Sequence, residues 1–211
     1  MHELNANVST RVAWSGGVRP FGVGSKKLGM WMFIVSDSLT FGALLLAYSY
    51  ERLANPDWPR PFEMYPGIAK STGMTVILLL SSLTMVFGVA AANQNKRKAA
   101  AKWLVATMIL GASFVAIHMT EWFALFKEGV TPWSNPWGAP LFGATFFAIT
   151  GLHMLHVSIG VIYLGVIAGA FGSGRLDSED VEVSGLYWHF VDLVWMFVFP
   201  MLYLMSVAVG K

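Results

Sequence analysis

Three stretches of this chain, residues 71–95, 103–120 and 129–174, contain no Asp, Glu, Lys or Arg. A run of roughly 18 or more apolar residues marks a helix that crosses a bilayer. Hydrocarbon offers backbone N–H and C=O groups no water, so a spanning segment must satisfy them internally. Composition agrees: 55% of the 211 residues are hydrophobic and 12% charged, with mean hydropathy +0.57. The chain reads as an all-α integral membrane protein with five spans, at about residues 28–50, 72–92, 102–123, 141–171 and 186–209. The fourth, about 30 residues, exceeds the roughly 20 needed to cross, which implies tilt or extension past the membrane surface. Residues 1–27 are polar and Gly-rich without an apolar core, so they read as a tail and not a signal peptide. Residues 28–211 form one five-helix membrane domain, with no internal repeat.

Basic residues set the orientation. With five spans the tail, the second loop and the fourth loop share a side, and carry Arg11, Arg19, Lys26, Lys27, Lys96, Arg97, Lys98, Lys102 and Arg175. The other side holds Arg52, Arg60, Lys70, Lys127 and Lys211. The positive-inside rule then puts the N-terminus in the cytoplasm and the C-terminus outside. The Lys96–Lys98 cluster fits anionic headgroups better than nucleic acid, and a net charge of +2 adds no wider field. The expected outer loops gather Pro56, Trp58, Pro59 and Pro61, then Pro132, Trp133, Pro136, Trp137 and Pro140. They read as an interfacial aromatic belt with turn residues, or as a docking surface for an external partner. The absence of cysteine removes thiolate clusters, thiolate copper and a cysteine nucleophile.

What chemistry there is lies in the polar residues inside the spans, where an ionisable group is a functional hypothesis by default. The last span, GLYWHFVDLVWMFVFPMLY at residues 185–203, carries His189 and Asp192. Asp37 sits about nine residues into the first span, roughly 14 Å along its axis. A charged carboxylate there is costly unless a donor or cation pairs with it. It reads as a packing carboxyl or a modulator of proton movement. His153 and His156 in GLHMLHVSIG are three apart, which places them on one helix face to meet a single neighbour. With Asp192 and His189 they are expected to form one polar patch in the cytoplasmic half. Interhelical hydrogen bonding, metal ligation, and a haem held by His118 with His153 or His156 are the readings of these imidazoles. His118 is expected several ångströms from the level of the His153–His156 pair, and its spacing from Glu121 suggests a local polar pair at the boundary. There is no G-x-S-x-G elbow, Walker loop, H-E-x-x-H or acidic ladder.

Three blocks occur in order: KLGMWMFIVSDSLTFGALL at residues 27–45, GLHMLHVSIGVIYL at 151–164, and YWHFVDLVWMFVFPMLY at 187–203. With the intervening spans they resemble nearly the whole five-helix core of subunit III of the haem–copper terminal oxidases, in its short bacterial form. The resemblance implies an accessory, non-catalytic subunit of a proton-pumping oxidase complex in the bacterial inner membrane. Such a subunit binds no redox cofactor itself. Haem and copper are expected in the catalytic subunit I that it contacts laterally, with subunit II, further small subunits or a quinol-oxidising complex as other company. The family binds phospholipid in a helical cleft and sustains proton uptake and turnover-stability. Asp37 matches an intramembrane carboxylate usually supplied as Glu, so a shorter side chain must reach the same partner. His153 and His156 match the fourth-span motif, and Trp188, His189, Asp192 and Trp195 match the last. His118 and Glu121 resemble a position where another polar residue commonly precedes the Glu. These residues are implied for helix packing and lipid contact, with Asp37 and Asp192 bearing on proton uptake. Both cytochrome c and quinol oxidases use the short form. A standalone membrane protein, either a His/Asp metal enzyme or a transporter using Asp37 and Asp192, is the alternative from another class.

Overall fold

The computed structural model describes residues 24–208, so residues 1–23 of the expected tail, with Arg11 and Arg19, and residues 209–211, with Lys211, lie outside the described part. Five helices are long and apolar enough to cross a membrane. They are α1 (Ser25–Ala54), α2 (Ala69–Asn93), α3 (Arg97–Lys127), α4 (Pro140–Gly172) and α5 (Ser178–Val198). Each of the first four overruns its expected span by a few residues at one or both ends. The largest difference is at α5, which starts eight residues before the expected residue 186. The segment SEDVEVS is too polar to count as a span, yet it is a good helix start. Asp177 and Asp180 form a capping box, and Glu179 and Asp180 place negative charge in the first turn, where the helix dipole favours it. At the far end Pro200 has no N–H to continue the α pattern. The chain loosens there into a π-type turn (Phe199–Tyr203) and a single 3₁₀ turn (Leu204–Ser206).

Helices α2, α3, α4 and α5 form a ring, with α2 on α3, α3 on α4, and α5 closing against both α2 and α4. α1 lies outside it and packs against α4 and α5. The inner stripe of α1 is narrow. Only Ile34, Phe41 and Tyr48 are buried, seven residues apart, while Leu39, Leu46 and Leu53 are exposed. A helix apolar on every side suits a membrane span, because lipid or another span receives the remaining face.

Trp188 and Trp195 of α5, also seven residues apart, fill the middle of the ring and are fully buried. Each indole N–H finds a hydroxyl on α2: Trp188 Nε1 donates to Ser81 Oγ at 3.0 Å and Trp195 Nε1 to Thr75 Oγ1 at 2.9 Å. The order of the pairs shows that α2 and α5 are antiparallel. The Trp188 ring has room because α3 and α4 offer glycines opposite it. A Cβ at Gly111 would stand 2.4 Å from the ring, and one at Gly160 2.9 Å. Not every small residue serves this way: Gly42 and Gly169 have nothing within 4 Å.

Charged residues tie the two ends. At one, Lys26 pairs with Asp180 at 2.5 Å and Lys27 with Glu182 at 2.7 Å, joining α1 to α5. Arg97 donates there to the carbonyls of Phe171 and Leu176 and covers the Phe171 ring. The tight α2–α3 turn at this end places Asn95 at φ 55, a left-handed conformation that Asn tolerates better than most residues. At the opposite end Arg52 donates to Ser206 Oγ at 3.2 Å and to the Met205 carbonyl. Phe62 in the α1–α2 connection pairs by backbone with residues 206 and 208. The start of α1 is thus fastened to α5, and residues 205–208 to α1 and the α1–α2 connection.

Candidate functional site

The intramembrane polar residues fall into three separate places and not the single patch that their spacing suggests. At the first, between α1 and α4, Asp37 Oδ2 approaches His156 Nε2 to 3.3 Å, without the alignment of a formed hydrogen bond. The other imidazole nitrogen, Nδ1, lies 2.8 Å from the Leu152 carbonyl of its own helix. A carbonyl can only accept, so Nδ1 carries a proton and Nε2 is the atom left for Asp37. The rings of Phe33 and Phe41 flank the imidazole at 6.3 and 5.5 Å. Tyr187 of α5 donates to the His156 carbonyl at 2.9 Å, tying the third helix in. A groove of about 360 Å³ lined by Met30, Phe33, His156, Ile159, Tyr163 and Tyr187 opens beside the pair.

The second place joins α2 and α5, where Ser82 Oγ lies 2.7 Å from His189 Nδ1. Asp192, one turn on, is 7% exposed and sits beside Ser82, but neither carboxylate oxygen has a hydrogen-bond partner. Ser, His and Asp therefore meet here without the wiring of a hydrolase. The serine takes the Nδ1 that an orienting carboxylate would need, and the carboxylate holds no ring nitrogen.

The third place lies near the end of the bundle that carries the α1–α2 and α3–α4 connections. Glu121 of α3 accepts from Ser71 Oγ at 2.9 Å and from the Tyr203 hydroxyl at 3.2 Å. His118 Nδ1 is 3.7 Å from the same carboxylate, a distance beyond a direct hydrogen bond. Lys70 donates to Thr120 at 2.5 Å. With Glu63, Glu121 and Glu128 it lines a cavity of about 470 Å³ that opens at this end. His118 is fully buried and stacks on Phe114 at 5.6 Å.

Two expectations of level and direction change. Side chains three apart on a helix still diverge by about 60°, and α4 uses that angle. His156 turns to α1, whereas His153 turns inward, stacked on Trp195 at 5.0 Å and edge-on to Phe114 at 5.7 Å. His118 touches the same two rings, so it stands beside His153 and not at another depth. Because Phe114 and Trp195 pack against both imidazoles, side chains fill the ground a porphyrin would need. Among the described residues no three His, Asp or Glu side chains converge as a metal site requires. The residues that complete the three places, Ser71, Ser82, Tyr187 and Tyr203, do not stand out in the sequence, nor do Thr75 and Ser81, which take the two indoles. The available signal was the run of hydroxyls through the second span, in a solvent where such groups join helices.

Comparison with known proteins adds a line of evidence independent of the geometry. The profile of the family described as Cytochrome c oxidase subunit III matches residues 5–207. The chain is similar to "Cytochrome c oxidase subunit 3" of Alkalihalophilus pseudofirmus, 30% identical over 187 residues, covering 87% of this chain and 88% of the relative. It is 29% identical over 189 residues to "Cytochrome bo(3) ubiquinol oxidase subunit 3" of Pseudomonas aeruginosa, with 87% and 86% covered. A third relative, "Cytochrome c oxidase subunit 3" of Thermostichus vulcanus, is 32% identical over 183 residues, with 85% and 87% covered.

Proposed function

From the premise that the chain belongs to the cytochrome c oxidase subunit III family, we propose that it is the accessory, non-redox subunit of a proton-pumping haem–copper terminal oxidase that reduces O2 to water. The observation that carries this reading is that the match runs through all five membrane helices and is not confined to one motif. A packed bundle in which hydroxyl, indole and carboxylate groups join neighbouring helices supports a structural task within the complex. That task is to stabilise the haem–copper subunit I by lateral contact, hold phospholipid against it and sustain proton uptake. Subunit II and further small subunits, or a quinol-oxidising complex, complete the assembly. The protein then lies in the bacterial inner membrane, N-terminus inside, with the end that gathers Lys26, Lys27 and Arg97 at the cytoplasmic surface.

Asp37 is the residue best suited to proton uptake, because His156 gives its carboxyl a partner with which to share one proton. Asp192, buried beside Ser82, is the second candidate for proton uptake. The groove beside Asp37, lined by two tyrosines and three apolar side chains, has the character of a lipid contact. The second reading, subunit III of a quinol oxidase, rests on relatives of that name at the same level of identity. A copper-binding subunit in the purified complex favours cytochrome c as donor, and its absence favours quinol. Purification in mild detergent tests the main reading. It predicts co-purification with a haem–copper subunit, and neither haem nor metal on this chain after separation. Stoichiometric metal in the chain alone, with no oxidase partner, overturns it in favour of a standalone metal enzyme.

A further inference from the structure

His118, His153 and Trp122 place five ring nitrogens inside one aromatic box where α3, α4 and α5 meet. Both histidines are fully buried, and neither has a side-chain or backbone partner on either ring nitrogen. Trp122 Nε1 is unpartnered as well, with its ring 6.1 Å from that of His118. Phe114 and Trp195 complete the walls, and Trp195 already spends its own N–H on Thr75. A neutral imidazole brings one donor and one acceptor, and the indole brings a further donor. Polar groups so deep in a membrane protein are paired, because hydrocarbon gives them nothing.

The occupant that pairs them is constrained by size and by access. A second polypeptide cannot reach atoms with no exposed surface, and an acyl chain brings neither donor nor acceptor. Water is small enough and brings both. An approach exists on the His118 side. One turn along α3, Glu121 stands 3.7 Å from His118 Nδ1 and lines the 470 Å³ cavity that opens beside Lys70 and Glu128. Glu121 therefore faces solvent space on one side and the box on the other.

We infer that His118, His153 and Trp122 form an internal water-binding site, filled past Glu121 from the end of the bundle that carries the α3–α4 connection. The site makes the interior of this half of the bundle hydrated, and lets His118 and His153 exchange ring protons with the solvent on that side.

A map of the intact membrane complex containing this chain, at a resolution that shows ordered water, tests it. The expected result is density within hydrogen-bond distance of His118 Nδ1 or Glu121 and of His153, lost in the complex carrying His118→Phe. Imidazoles bonded directly to each other or to Glu121, with no density between, overturn the inference. A second variant, His153→Phe, keeps it exposed to refutation by stability. Removing unpaired nitrogens from a dry box raises the thermal midpoint of the complex, whereas removing a water ligand lowers it. A higher midpoint overturns the inference, and the map of the unaltered complex decides the matter if that variant does not assemble.

Discussion

Asp37 and His156 face each other across the contact between α1 and α4. Because Nδ1 of His156 is committed to the Leu152 carbonyl, the contact depends on a proton that either partner can hold. Asp37→Asn keeps the size of the side chain and removes the acid. We predict unchanged haem content but faster loss of activity over repeated turnovers, read by following oxygen consumption to exhaustion. An unaltered lifetime makes Asp37 a packing residue only. Asp37→Glu should retain function if reach is not critical at this site. Glycines supply a second test at this scale. Gly111→Val drives a side chain into the Trp188 ring and should cost about 1–3 kcal/mol, seen as a lower thermal midpoint of the assembled complex. Gly42→Ala, with open space around it, should leave the midpoint unchanged. At this scale the sequence was half legible. Residue types and spacing picked out Asp37, His118, Glu121, His153, His156, His189 and Asp192. Their partners depended on helix rotation, which a spacing of three leaves open by about 60°. Ser82 and Tyr187 could be assigned to His189 and His156 only once the helices were placed.

Among the elements, α1 and α5 differ most in how they are held. α5 is buried along most of its length, while α1 touches the ring by one stripe and is fastened at its ends. The ion pairs of Lys26 and Lys27 are open to solvent and screened by salt. Losing the Arg52 clasp leaves the Met205 carbonyl without its donor, while Ser206 Oγ keeps the Tyr48 hydroxyl. Arg52→Ala should therefore cost about 1–3 kcal/mol and release α1 first, measured as earlier protease cleavage in the α1–α2 connection. Cleavage at the unaltered rate contradicts the clasp. Existence and number of helices were legible because a bilayer demands long apolar runs. The start of α5 was not, since a hydropathy window cannot see a water-facing turn. Its capping box was nonetheless present in the letters Asp177–Asp180.

Across the whole molecule, buried polar groups join the helices of an extensively packed α2–α3–α4–α5 ring. The five-helix architecture followed from composition, and family membership from three motif blocks later matched by a profile over residues 5–207. What no single chain could disclose is the surface that its partners cover, because the exposed apolar face of α1 reads the same against lipid or protein. In the proposed role this chain supports an oxidase without carrying its chemistry. Removing it from the purified complex and following turnover tests that claim most directly. The account predicts an unchanged haem spectrum and initial rate, followed by faster inactivation that adding the chain back reverses. Loss of haem or of the initial rate on removal, or an unchanged lifetime without it, contradicts the account.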